Sequence, residues 1–246
     1  MKISIIINIL NSHEIVRRQI EHFRKMNLPN EIEIIFVDDG SNPPLQYPDA
    51  PLKNFTILYT NDKRPWTQGL ARNMGAKSAV GEYLMFTDID HFYTRESINA
   101  VLSFCGDKMV FPRYYGILDE NGNIVDDIDR LIEFGLDPNR LKGRRGIRAG
   151  VHGNSYAMKR EVFFALGGYK ERWCNGMMHQ GKRRGEDSHF NWRYSKAVIS
   201  GVYAPQSEGP KMYVFPIGKF TVNNDLNPQG LFHNLSHEPV PQPMML

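Results

Sequence analysis

Two aspartates one residue apart, Asp88 and Asp90, close the apolar run Tyr83-Leu-Met-Phe86. In a strand, alternate side chains face the same way, so Ile89 can turn back into a core while both carboxylates project outward. Carboxylates this close repel unless a cation lies between or beside them. A hard divalent ion, Mn2+ or Mg2+, with a diphosphate as co-ligand meets that need. The same residues would also suit a helix start, with Asp90 or Thr94 as the cap. A second acidic pair, Asp38 and Asp39, precedes Gly40-Ser41. A carboxylate there can accept from a uracil N–H or from ribose hydroxyls, and these residue types also make ordinary turns. Arg72 can hold a phosphate or fix a strand-end aspartate, or simply lie along the surface. Glu186 and Asp187 follow Gly185. One could hold an acceptor hydroxyl while the other removes its proton, or the pair could merely complement a helix dipole. His233 and His237 stand four apart, and a neutral imidazole from either could complete a metal site at Asp90. Lys142, Arg144, Arg145 and Arg148 form a basic run suited to phosphate or to solvent.

The elements that must position these groups alternate strand and helix. Residues 3–10 are apolar and β-branched, the pattern of a strand buried on both faces. Asn11 or Ser12 can cap a helix carrying Ile15, Ile20 and Phe23, which residues 28–30 end. Residues 31–37 predict a second strand, residues 43–51 a proline-rich loop, and residues 55–59 a third strand. Residues 68–78 predict a helix and residues 82–87 a fourth strand. This β-α-β-β-α-β order predicts an α/β fold with a mainly parallel sheet and helices on its faces. In such sheets ligands bind outside the carboxyl ends of the strands. Asn8 with Asn11, Asp38 with Asp39, and Asp88 with Asp90 all fall at such ends and should meet along one edge. Further on, residues 95–104 predict a helix, 108–113 a short strand, and Asn121-Gly122 a hairpin turn. Residues 156–166 predict a helix closed by Gly167-Gly168, residues 173–184 a long loop, and residues 186–196 a helix.

The chain has 246 residues, a net charge of +3, 41% hydrophobic, 23% charged and 11% aromatic residues. These values exclude a disordered, collagenous or coiled-coil chain, and the charge is too balanced to point to nucleic acid. Cys105 and Cys174 make no disulfide framework, which fits a reducing compartment. The apolar start is too short for a secretory signal and far from the ~20 residues of a membrane span. We therefore expect a cytoplasmic protein with no membrane span, arranged as one domain over residues 1–246. Residues 1–95 would form a nucleotide-binding half, 96–204 an acceptor-side half, and 205–246 a tail closing the site.

Taken in order, an opening apolar strand, VDDGS, GLARNMGA, GEYLMFTDID, GNSYAMKREVFFALGGYKE and GEDSHF resemble glycosyltransferase family 2, with the GT-A fold. The second half also resembles the C-terminal region of galactosyltransferase-type enzymes. The resemblance spans roughly residues 3–200. It implies that Asp39, with Asp38 beside it, contacts the nucleoside, and that Asn8 or Asn11 lines the base and ribose pocket. It further implies that Arg72 matches the arginine of the GLARN helix, that Asp88 approaches the ribose, and that Asp90 binds Mn2+ or Mg2+. Gly153-Asn154 matches the acceptor-side strand, Asp187 the catalytic base with Glu186 beside it, and His237 or His233 the tail ligand. The implied reaction moves a sugar from a nucleotide-sugar donor, UDP-linked by default, to a saccharide or glycan hydroxyl with inversion. Where the family often has an aromatic residue and glycines before Glu-Asp, this chain has Lys182-Arg183-Arg184, which suits an anionic acceptor. A sugar-1-phosphate nucleotidyltransferase is disfavoured by Asn11-Ser-His-Glu14, where that class has a Gly-rich basic signature. A non-catalytic binding module predicts loss of an acidic group, whereas Asp39, Asp88, Asp90 and Asp187 are all present.

Overall fold

The computed structural model describes residues 1–50, 52–62, 64, 67–140, 148–171 and 185–216. The β-branched opening run becomes β1 (Ile3–Ile9), buried along its whole length. Helix α1 (His13–Met26) leads to β2 (Ile32–Asp38), and β3 (Phe55–Tyr59) follows at the sheet edge. Helix α2 (Gln68–Ser78), with the bounds its sequence predicts, leads to β4 (Tyr83–Asp88). The two faces of β1 explain its unbroken apolar sequence. Ile5, Ile7 and Ile9 pack with Ile15, Val16 and Phe23 of α1. Ile6 packs on the opposite face with Ala71 and Ala76 of α2.

All pairings among β3, β2, β1 and β4 are parallel. Their register sets Asn8 opposite Asp88, and Ile9 opposite Asp38. The polar strand ends therefore stand level, as the sequence predicts. The second half is mixed rather than parallel. Its elements are β5 (His91–Phe92), α3 (Arg95–Leu102), β6 (Lys108–Tyr115), β7 (Ile117–Leu118), β8 (Ile124–Val125) and α4 (Ile128–Phe134). They continue with β9 (Arg148–Lys159), α5 (Arg160–Ala165), α6 (Glu186–Ile199), β10 (Ser207–Glu208) and β11 (Met212–Val214). The sheet runs β3-β2-β1-β4-β9-β6-β11-β5, with β10 beside β6. Strand β9 lies antiparallel to both β4 and β6. Strands β7 and β8 form the predicted hairpin, with Gly122 at φ +74° in its turn.

Several expectations change. The helix expected over residues 156–166 is confined to Arg160–Ala165, because Tyr156, Ala157 and Met158 sit in mid-sheet, fully buried between β4 and β6. Thr94, not Asp90, caps α3: its side chain accepts from the Ser97 N–H at 3.1 Å. Ser12 precedes α1 without capping it, and its hydroxyl donates to the Leu10 carbonyl instead. Strands β5 and β11 and helix α4 were not anticipated. The loop at 173–184, the basic residues Lys142, Arg144 and Arg145, and both tail histidines, His233 and His237, lie outside the described residues. Among the described residues no helix is long and apolar enough to cross a membrane.

Candidate active site

The first turn of α2 joins the three strand ends. Asn8 of β1 donates from Nδ2 to the Gln68 carbonyl at 2.9 Å. Gln68 donates from Nε2 to Asp88 Oδ1 at 2.9 Å. Thr67, the residue preceding α2, bonds the Asp39 carboxyl, which also accepts from Thr60 at 3.1 Å. Burial is the main cause of Asp39 being pushed up to about 6, with the two threonine hydroxyls pulling it back. Asp38 points the other way, and its carboxylate accepts from the Ser41 and Leu45 N–H groups at 2.8 and 2.7 Å. Asn11, at φ 48°, likewise holds this loop through a bond from the Asn42 N–H to its Oδ1. Both side chains are spent on shaping the β2 loop, which in turn sets the direction of Asp39.

Arg72 is fully buried and donates from Nη2 to Asp88 Oδ1. Burial opposes its charge, but Asp88 outweighs that and raises its pKa. The guanidinium also lies over the Tyr169 ring, 5.2 Å from its centroid. Burial alone would raise Asp88, yet Arg72, His152, His91 and Asn154 together hold it well below the usual carboxylate range. Of the readings the sequence leaves open for Arg72, the structure shows it fixing a strand-end aspartate.

Asp90 follows Asp88 around the end of β4 and is 3% exposed. Gln19 of α1 holds this turn from behind, donating to the carbonyls of Ile89 and His91 at 2.6 and 3.0 Å. On the other side the Phe215 N–H, just past β11, donates to the Asp90 carbonyl at 2.8 Å. Asp88, Asp90 and His91 each offer one ligand atom within 4.8 Å of one another. Two carboxylates this close, with an imidazole beside them, suit a hard divalent ion. Since Thr94 takes the capping role, the Asp90 side chain is not needed for α3.

Strand β9 supplies the opposite wall. Asn154 Nδ2 stands 3.4 Å from Asp88 Oδ2, and His152 Nδ1 stands 3.7 Å from the same oxygen. Burial pushes His152 down to about 4, against the pull of Asp88, so its imidazole is neutral at pH 7. The first turn of α6 sits beside this strand. Asn191 donates to the carbonyls of Gly153 and Asp187, both at 3.0 Å. A Cβ on Gly153 would meet Asn191 Nδ2 at 2.8 Å, so a side chain there would displace the Asn191 amide. The same Cβ would lie 3.7 Å from Asp187 Oδ2, which places that oxygen over β9. Asp187 Oδ1 accepts from the Ser188 N–H at 2.7 Å. Glu186 is 3% exposed, with its Cγ 3.7 Å from a Cβ on Gly69 of α2.

Asp39, Asn8, Arg72, Asp88, Asp90, Asn154, Glu186 and Asp187 thus line one edge of the sheet. Gln68, Thr67, His91 and His152 join them without having been singled out from the sequence. His152 carried a usable signal: it stands two residues before Asn154, hence on the same strand face. His91 abuts the Asp-x-Asp pair, but only the fold shows which way its ring turns.

A half-parallel, half-mixed sheet bearing strand-end carboxylates, faced by a helix that opens with Glu-Asp, defines the GT-A architecture. The model of glycosyl transferase family 2 matches residues 4–166, and the chain belongs to that family. A poly(ribitol-phosphate) beta-glucosyltransferase of Bacillus spizizenii is 28% identical over 160 residues, 57% of this chain and 25% of that protein. Staphylococcus aureus TarS 1-349, solved with UDP-GlcNAc, superposes with a TM-score of 0.54 at 18% identity, covering 87% of this chain and 58% of that one. The mannosyltransferase PcManGT of Pyrobaculum calidifontis, solved with GDP-Man and Mn2+, gives 0.52 at 17% identity, covering 87% and 56%. The chain spans between 19% and 50% of the length of the curated relatives it matches.

Proposed function

We propose that this chain transfers a sugar from a UDP-linked donor to an acceptor hydroxyl in one inverting displacement, with Asp187 as the base. The observation that carries this reading is that carboxylates from two elements come to neighbouring residues of β9: Asp187 Oδ2 lies 3.7 Å from a Cβ on Gly153, and Asn154 Nδ2 stands 3.4 Å from Asp88 Oδ2. Asp88 and Asp90 follow one another at the end of β4, and Asp187 opens α6 beside Gly153. A base on one side and leaving-group stabilisation on the other suit in-line displacement, by analogy with carboxylate geometry in glycoside hydrolysis.

The chain's own residues divide the work. Asp39, once ionised, accepts from the nucleoside, and Asn8 with Gln68 borders the same pocket. Arg72 keeps Asp88 charged and oriented. Bound at Asp90 with Asp88 beside it, Mn2+ or Mg2+ would neutralise charge developing on the departing diphosphate. Asp187 Oδ2 takes the acceptor proton while Asn191 and Ser188 hold the rest of that residue still. Glu186 and Asn154 orient the acceptor. The choice of UDP draws on TarS, solved with UDP-GlcNAc. The choice of metal draws on PcManGT, solved with Mn2+. An anionic acceptor draws on Lys182-Arg183-Arg184 and on the poly(ribitol-phosphate) of the Bacillus spizizenii relative's name. In this reading residues 1–95 would form the donor half, 96–204 an acceptor half resembling galactosyltransferase-type enzymes, and 205–246 a closing tail with His237 or His233 as a further ligand.

Asp187→Asn tests the reading. It keeps the side chain's shape and removes its basicity, so UDP binding should persist while turnover falls ~10²–10⁴-fold. Calorimetry with UDP and single-turnover transfer measure the two separately. Wild-type turnover in Asp187→Asn would end the assignment, and loss of UDP binding would place Asp187 in the donor pocket instead.

A further inference from the structure

His91 is the nitrogen donor closest to the carboxylate pair, and its surroundings decide whether that nitrogen can hold a metal. Its Nε2 lies 2.8 Å from Arg113 Nη1. A guanidinium only donates, so Nε2 must present its lone pair. The ring proton of the neutral imidazole is then on Nδ1, which lies 3.0 Å from Asp90 Oδ1, off the line of an ideal hydrogen bond. A protonated Nδ1 has no lone pair to give. Its N–H dipole attracts the oxygen it faces and leaves the other Asp90 oxygen to an incoming cation.

The ring has little freedom to turn over. His91 is 2% exposed and stacks on His152, with centroids 5.2 Å apart and planes 24° apart. Arg113 is itself anchored, with Nε donating to the Gly150 carbonyl at 3.1 Å. It stands where the β6–β9 register shifts on either side, between Val110 and Pro112 and between Arg113 and Tyr114. Such irregularities re-aim side chains beside functional sites. Strand β11 lies between the two residues' strands, pairing Met212 with Arg113 and Val214 with His91, and so fixes their spacing.

We propose that Arg113 is a positioning residue for the metal site: it locks His91 with the proton on Nδ1, so that His91 orients Asp90 and is not itself a ligand. This rests on Asp90 binding the cation, as argued above. Outer partners of metal ligands typically change metal affinity 10–100-fold when removed.

The first test needs neither metal nor variant. Long-range ¹H–¹⁵N correlation on ¹⁵N-histidine-labelled protein, free of metal, should show His91 protonated at Nδ1 with Nε2 bare; the opposite tautomer overturns the proposal. The second measures Mn2+ affinity by electron paramagnetic resonance in the presence of UDP. Arg113→Met should weaken Mn2+ binding 10–100-fold, and Arg113→Lys, which keeps a donor, should recover part of it. His91→Asn, which can keep an N–H near the Nδ1 position, should retain most of the affinity that His91→Ala loses. Equal losses in His91→Asn and His91→Ala would make His91 a ligand and sink the proposal, as would wild-type affinity in a folded Arg113→Met. Asp90→Ala separates the two levels. Unchanged Mn2+ affinity there removes the metal reading itself, whereas a loss there with no effect at Arg113 removes only the positioning role.

Discussion

Asp39 carries a charge its surroundings disfavour. Burial raises its carboxyl from 3.8 to about 6, and the nearby Asp62 and Asp38 add to the effect. A pKa raised in the folded state gives stability that is complete below about 3.8 and is lost as pH climbs through about 6. At neutral pH the ligand-free protein therefore holds an ionised Asp39 at a cost, and that ionised form is the one that would accept from a nucleoside. Asp39→Asn should raise the melting temperature of the ligand-free protein at pH 7.5, change it little at pH 4, and weaken UDP binding. In the wild type, UDP affinity should climb as pH rises from 5 to 7, a slope the variant lacks. Thermal unfolding and calorimetry across that range check both parts, and a variant no more stable than wild type at pH 7.5 would count against it. His152 works in the opposite sense: its pKa falls from 6.5 to about 4, so its contribution is whole above 6.5 and lost as pH drops through 4. Comparing the two proteins isolates Asp39 from that background. The sequence could place one acidic pair at the end of β2 and another at the end of β4, because each follows an apolar run. It could not separate Asp39 from Asp38, or Asn8 from Asn11, because those residue types serve turns and ligands equally well. Only the bonds from Ser41, Leu45 and Asn42 show which side chains the loop consumes.

Local sequence and tertiary packing disagree most at β9. Ala157, Met158, Lys159 and Arg160 are all good helix formers, and no glycine or proline lies between Gly153 and Gly167. Yet the edges of β4 and β6 face each other there, and a central strand satisfies both rows of backbone groups where a helix would satisfy neither. The chain stays extended to Lys159 and coils only afterwards. Extension through residues 152–154 is what brings His152 and Asn154 to Asp88. Helix α6 then depends on β9 for its position, through Asn191. That side chain donates to Gly153 and Asp187 carbonyls and accepts from the buried Lys108 ammonium, which also lies over the Tyr156 and Tyr194 rings. Asn191→Ala removes these bonds and leaves Lys108, pushed down to about 8 by burial, without its amide acceptor. Stranding buried polar groups costs about 1–3 kcal/mol each. We expect a lower melting temperature and a fall in kcat larger than any change in KM for the donor, because Asp187 loses its backing while Asp39 and α2 are untouched. A variant with wild-type kcat would show that α6 needs no such tie.

At the scale of the whole molecule, the two halves of the sheet differ in how openly the sequence announces them. Strands β1 to β4 come with two helices among them and each carries its own apolar signature, so a mainly parallel sheet is legible in the sequence. The other half is assembled from distant pieces: β5 and β11 have only two and three residues, and β11 enters from beyond α6. Elements that short have no periodicity to detect; pairing alone defines them. The consequence is a strand-end edge whose β1–β4 side is one continuous unit, while the turn that carries Asp90 is held by β11 and the Phe215–Asp90 bond. On the proposed reading the donor binds the first side and the cation the second, so the two should act together on stability. A ligand bound only by the folded state stabilises by RT ln(1 + [L]/Kd), or about 2.7 kcal/mol at a hundredfold excess over Kd. For a chain of this size that corresponds to about 5–10 °C in melting temperature. UDP with Mn2+ should reach that range, while UDP with EDTA and Mn2+ alone should each give a small fraction of it. GDP with Mn2+, offered as the competing nucleotide, should fall well short if the base is read at Asp39. Equal shifts with and without EDTA would detach the nucleotide from the carboxylates of β4, and equal shifts with GDP would leave the base unread.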